Sequence, residues 1–327
     1  MNRLRAALLV ALAWPLAAND TMVTLGAGGL VPVKSTAIAM ESEDLQISIR
    51  QISIRYVFRN KMNGDIDAVV AFPLPALDGG DLDNEPMRLP SKDPVNFVDF
   101  KLSVAGKPVR PSVEIRASFD GKDITDDLRA LGLPLAVADK TFDAALKRLP
   151  ADKRNQLEKD SWIECSGEPS HCGAYWTSHI RYYWTQHFPA GAAVTVQHSY
   201  RPVVGGSYIV RGDSGASSVK PYCGGETALA QIAQQQKRQP ATSPADTVLN
   251  ENTIQYILTT ANNWSGPIGN FRLTITAEGP DDIVLTCMPG LKRVSPTRYE
   301  LTQANFRPEK ELELLILTRP NPNRNER

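Results

Sequence analysis

The chain lacks any excess of charge of one sign: among its 327 residues, 36 are basic and 36 acidic. A nucleic-acid-binding protein needs a basic surplus to displace counterions, so that class is excluded. Histidine and cysteine are scarce, with four of each. Past the first eighteen residues no apolar run approaches the roughly 20 residues that span a bilayer as a helix. No Gly-x-Ser-x-Gly elbow and no phosphate-binding glycine loop occurs. Gly26-Ala-Gly-Gly29 fits neither glycine pattern and reads as a close backbone turn. Arg211-Gly-Asp-Ser-Gly215 lacks the strand–turn–helix setting of a nucleophile and reads as turn chemistry. Asp120, Asp123, Asp126 and Asp127 lack the alternating oxygen order of a calcium loop, and suit a helix N-terminus instead.

What is present is ordinary for a globular protein: 42% hydrophobic and 22% charged residues. The length suits about two domains of roughly 100–200 residues. Arg3 and Arg5 precede an apolar run from Ala6 to Leu16, and Ala17-Ala18 supply small residues before polar Asn19-Asp20. That order is a signal peptide over 1–18, cleaved after Ala18, and it predicts a periplasmic or secreted protein.

Export permits disulfides. Cys165, Cys172, Cys223 and Cys287 allow three pairings, of which Cys165–Cys172 and Cys223–Cys287 are favoured, because Gly and Pro can turn the short loop back on itself. Cys165, His171 and Cys172 are also metal donors. Six residues between the two cysteines is looser than the two to four of zinc knuckles, so no metal and no cofactor is expected.

The pattern predicts a mainly β (α+β) protein, two β-sandwich-like portions at 19–118 and 164–320 flanking a helical insertion at 119–163, with a frayed tail at 321–327. Gln46-Ile-Ser-Ile-Arg50 is repeated at once as Gln51-Ile-Ser-Ile-Arg55. Ile47 and Ile52 have opposite parity, so a turn or bulge must fall near Arg50. Glu41, Glu43 and Asp44 read as a solvated strand entry. Residues 77–95 and 202–221, rich in Gly, Pro, Asp or Ser, read as surface loops. Helices are expected from Asp123 or Thr125 to Ala130, across Phe142, Leu146 and Leu149, after Pro150, and over Glu226–Lys237.

Five N-terminal stretches resemble one family: Asn19-Asp20, Leu25-Gly-Ala-Gly-Gly-Leu30, Met40-Glu-Ser-Glu-Asp-Leu45, Tyr56-Val-Phe-Arg-Asn60 and Ala71-Phe-Pro-Leu-Pro75. Five more lie downstream: Tyr183-Trp184, Phe188-Pro-Ala-Gly191, His198-Ser-Tyr200, Asn263 to Arg272 and Ser295 to Tyr299. Together they resemble the exported bacterial DUF4424 family. The resemblance implies export and a β-rich body, and carries over no catalytic residue. Residues 50–116 also resemble, more weakly, VIT-type β-sandwich interaction modules.

On the strand from His179 to Phe188, His179, Arg181, Tyr183 and His187 share one face, while Ile180, Tyr182, Trp184 and Phe188 share the other and should meet the core. With Trp176 nearby, the first set could line a groove, and Trp264 could offer an aromatic face to a sugar or protein. These are the candidate binding residues; the catalytic residues are unknown. Scattered histidines suit a non-enzymatic binding module of the bacterial envelope with a protein or glycan partner, because acid–base catalysis needs converging groups. The alternative is a periplasmic hydrolase with an unrecognised site near His179, Arg181 and His187.

Overall fold

The computed structural model describes residues 20–26, 29–84, 89–165, 172–238 and 247–320. The expected signal segment, His171 and the tail beyond 320 lie outside the described residues. The protein is mainly β. The described residues form two compact units, one of residues 74–84, 115–165 and 172–180, the other of residues 20–26, 29–73, 89–114, 181–238 and 247–320.

In the larger unit the tandem repeat makes a reversal. Strands Ile38–Ile47 and Ile52–Asn60 pair antiparallel with Ile47 opposite Ile52, and Ser48 N–H donates to the Gln51 carbonyl at 2.9 Å to close the turn. The parity switch between the two copies is what lets both strands bury isoleucines on one face. These strands occupy the middle of an eight-stranded sheet. Its order is Lys292–Ser295, Arg298–Phe306, Ile268–Thr276, Ile38–Ile47, Ile52–Asn60, Ala193–Tyr200, Lys101–Val104, Lys107–Val109. Strands from either side of the helical stretch therefore share one sheet. They join through a parallel pair, Ile268–Thr276 with Ile38–Ile47, and through antiparallel pairing of Ala193–Tyr200 with both Ile52–Asn60 and Lys101–Val104.

Residues 181–188 pair with Ile66–Pro73, which pairs with Thr21–Gly26 and that in turn with Gly29–Pro32. Rings from both layers interdigitate: Phe72 lies 4.7 Å from Phe100, and Phe100 stacks on Tyr182 at 4.8 Å. A third sheet runs Gly205–Val210, Thr247–Tyr256, Leu312–Thr318, Ile283–Leu285. Its Ile209, Val248, Leu315 and Leu317 pack with Val219 and with Ile232 of helix Glu226–Arg238. The Cys223–Cys287 disulfide lies in this unit.

The smaller unit holds helices Thr125–Ala130, Phe142–Arg148 and Ala151–Lys159. Asp123 accepts the Thr125 N–H at 2.9 Å, Gly132 stops the first helix at φ 67°, and Pro150 precedes the third. Leu128, Leu146, Leu157 and Ile163 pack around Trp176. The hairpin Ile163–Cys165 with Cys172–Ala174 is closed by the Cys165–Cys172 disulfide.

Two expected loops are corrected. Residues 77–84 form a short strand, Leu77–Asp78, and a helix, Gly79–Asn84. Gly79 is required there, because a Cβ would fall 1.8 Å from the Ala174 carbonyl oxygen. Residues 202–221 contain the strand Gly205–Val210 and the helix Ala216–Val219. Glycine and serine there mark an exposed edge rather than a loop.

Candidate functional site

Strand Thr177–Phe188 alternates as its period of two demands. The even-numbered side chains are buried and the odd-numbered ones partly or fully exposed. The odd face does not converge. His179 Nε2 lies 2.8 Å from Ser118 Oγ. Arg181 donates to Glu114 Oε2 at 3.1 Å and to the Leu30 carbonyl at 2.8 Å. Tyr183 packs on Val23, Leu30 and Ala71. His187 lies between two carboxylates, with Nδ1 2.8 Å from Asp67 and Nε2 3.5 Å from Asp65. His179 and Ser118 belong to the smaller unit, and His187 with Asp65 and Asp67 to the larger one.

Two candidate aromatics are corrected. Trp176 is 0% exposed, Trp264 3%. The Trp176 indole donates to the Leu135 carbonyl at 3.0 Å. The Trp264 indole donates to the Asp20 carbonyl at 3.1 Å, with its ring 4.5 Å from Phe58. Both are core side chains with their one donor satisfied, and neither offers a face to a ligand.

A cluster that the sequence reading missed lies inside the larger unit. His198 Nε2 meets Asp20 Oδ2 at 2.9 Å, both side chains fully buried. Phe72, Phe100, Tyr56 and Trp184 surround the imidazole at ring separations of 5.2–5.6 Å. Tyr256 O–H donates to Glu43 Oε1 at 3.0 Å, and the hydroxyls of Tyr56 and Tyr256 are 3.0 Å apart. Glu43 is thus a buried strand residue, which corrects its reading as solvated. Burial pushes its carboxyl up to about 8, the Asp20 charge adds to that, and the Tyr256 hydrogen bond opposes it. Burial likewise raises Asp20 against the pull of His198, and raises both phenols. At neutral pH this network holds protons on Glu43 and on both tyrosines. Its side chains are buried, so their protonation bears on the stability of the fold.

The domain of unknown function DUF4424 matches residues 18–315. The chain belongs to the DUF4424 family. A solved Legionella pneumophila protein, described as a candidate nutrient binding protein, is similar at 15% identity and a TM-score of 0.46, over 92% of this chain and 70% of that one. A two-domain M1 zinc metallopeptidase is similar at 7% identity and a TM-score of 0.21, over 88% and 44%. At those scores neither likeness bears on function. No curated relative matches the chain.

In this DUF4424 chain the sheet edges differ in protection. An edge strand presents unpaired N–H and C=O groups that invite another strand, and proteins blunt it with charge, proline, shortness or cover. Lys107–Val109 has Lys107 and Pro108; Lys292–Ser295 opens with Lys292 and Arg293; Lys122–Asp123 is short and fully charged. Ile283–Leu285 is three residues long, behind Asp281 and Asp282. Gly29–Pro32 ends in proline and is covered: Glu114 Oε1 accepts the Leu30 N–H at 3.0 Å while Arg181 donates to its carbonyl. Gly205–Val210 differs. It has six residues, no charge and no proline, and Tyr208 is 62% exposed. Among the described residues its outer side pairs with no strand.

Proposed function

We propose that this chain is an exported, non-enzymatic binding module of the bacterial envelope that engages its partner through the Gly205–Val210 edge. The observation behind this reading is a six-residue edge strand with no charge and no proline that, among the described residues, pairs with no strand on its outer side. Strand addition supplies affinity through main-chain hydrogen bonds and needs no catalytic group. Two disulfides accord with an oxidising compartment. No helix among the described residues is long and apolar enough to cross a membrane. The test is a photocrosslinking amino acid placed at Tyr208 in cells, with the same probe at Lys107 as control. A discrete adduct from 208 and none from 107 is the expected result. No adduct from either site overturns the reading. Export is checked by N-terminal sequencing of the mature protein, expected to begin at Asn19.

One observation favours a second reading, a hydrolase. Ser118 Oγ and His179 Nε2 stand at the separation of a nucleophile and its base. Ester hydrolysis by the pure protein that Ser118→Ala abolishes would establish it. An inert protein across acyl and phosphoryl ester panels removes it.

A further inference from the structure

We infer that the Gly205–Val210 edge takes a second copy of this chain, antiparallel, about a two-fold axis through Ser207. This deepens the binding reading above and rests on it.

Three features of the strand point to self-pairing. The first is its register. Regular pairing with Thr247–Tyr256 runs from Gly205 to Ile209, and a bulge follows between Ile209 and Val210. The regular stretch is five residues centred on Ser207, so a two-fold there uses all of it. Tyr208 then stands opposite the partner copy's Gly206, and Ile209 opposite its Gly205. An aromatic ring across from a strand glycine is a favourable cross-strand pair, because the ring covers the backbone that glycine leaves bare.

The second feature is Gly206 itself. Its φ is not among the positive values of the chain. A Cβ there would first meet the Glu251 carbonyl oxygen at 3.9 Å, an ordinary contact. Neither backbone strain nor packing among the described residues requires glycine, although glycine weakens a strand interior and marks close approach by another group. By contrast a Cβ at Gly205 would lie 2.4 Å from Thr253 Oγ1, so the Thr253 side chain would have to shift. The exposed ring of Tyr208 from a second copy is the group that a bare Gly206 would admit.

The third feature is charge. An isologous contact brings the same strand from both copies together, so every charge on it is doubled within one short patch, and like charges directly opposite destabilise a strand pair. Gly205 to Val210 contains no charged residue, whereas Lys107–Val109 and Lys292–Ser295 would bring lysines or arginines together.

The experiment combines sedimentation with a cysteine placed on the axis. Directly opposed residues of an antiparallel pair have Cα atoms about 4.5–5.5 Å apart, within disulfide reach. Ser207→Cys is expected to yield a disulfide-linked dimer under mild oxidation, and Lys107→Cys is not. Native protein is expected to sediment as a concentration-dependent dimer. Tyr208→Ala and Gly206→Lys should each weaken dimerisation about tenfold or more, with far-UV circular dichroism unchanged. A monomer at every concentration overturns the inference. So does a dimer that Gly206→Lys leaves intact. If the native chain is a monomer yet the probe at Tyr208 captures a different protein, self-pairing falls and the binding reading stands. If neither occurs, both fall.

Discussion

Two histidine–carboxylate pairs in the larger unit have the same chemistry and opposite surroundings. His187 meets Asp67 at 2.8 Å with its side chain 53% exposed, while His198 meets Asp20 at 2.9 Å with none of either side chain exposed. Distance alone would rank them equal. Water screens the first, whereas aromatic rings enclose the second. The lesson is that a pair's geometry says little until its dielectric setting is known. Removing one partner of a buried pair strands a charge or a donor, whereas removing one partner at the surface leaves water to replace it.

The comparison is broken most directly at Asp20. Asp20→Ala should cost about 3–5 kcal/mol, because the buried imidazole loses its carboxylate partner at Nε2. Urea unfolding would read this as a lower midpoint at unchanged slope. A cost below about 1 kcal/mol would mean that burial does not separate the two pairs.

Glu43 carries the next effect, opposite in sign. An acid raised from 4.5 to about 8 in the folded state keeps its proton there while the unfolded chain releases it. Between those values the folded state binds more protons, so stability falls as pH rises. Below 4.5 both states are protonated and the penalty vanishes; above about 8 it is complete. Glu43→Gln keeps the hydrogen-bonding shape without the proton equilibrium. It should raise stability at pH 7 by up to about 3 kcal/mol and change it little at pH 4. Thermal melts of both proteins from pH 4 to 9 would show curves that diverge as pH rises. Parallel curves would mean that Glu43 ionises freely in the fold.

Much of the fold was legible from period-two patterns. The parity switch at Arg50 announced the reversal between Ile47 and Ile52, and the alternation from His179 to Phe188 separated core from surface. The helices between Asp123 and Lys159 were marked by Asp123, Gly132 and Pro150. The buried network was less legible, though a signal existed. Glu43 shares parity with Leu45 and Ile47, and His198 with Val196 and Tyr200. Charge on Glu43 masked that parity. Asp20 could not be assigned, since its partner lies 178 residues away and nothing local betrays the pair. At Gly205–Val210 composition misled: glycine and serine suggested a loop, where long-range pairing to Thr247–Tyr256 imposes a strand.

A half-buried pair tests the middle of the scale. Glu114 and Arg181 are 15% and 16% exposed and clasp the backbone of Leu30. Glu114→Ala should cost about 1–3 kcal/mol, since the Leu30 N–H and the guanidinium both lose an acceptor. The local signature is faster hydrogen exchange at the Leu30 amide, with amides of Ile52–Asn60 unaffected. An unchanged rate at Leu30 would mean that the edge is held by its pairing with Thr21–Gly26 alone.

The smallest effect belongs to the surface pair. Asp67→Asn should change stability by about 0.2–1 kcal/mol, because solvent already competes for both groups and Asp65 remains on the other ring nitrogen. Added salt should erase most of this difference at His187 while leaving the cost of Asp20→Ala nearly intact, since ions do not reach an enclosed pair. A chemical denaturation series in urea, run at low and high sodium chloride, makes both measurements at once. If salt reduced the two costs equally, the Asp20–His198 pair would have to be open to solvent, and the contrast between the two sites would be lost.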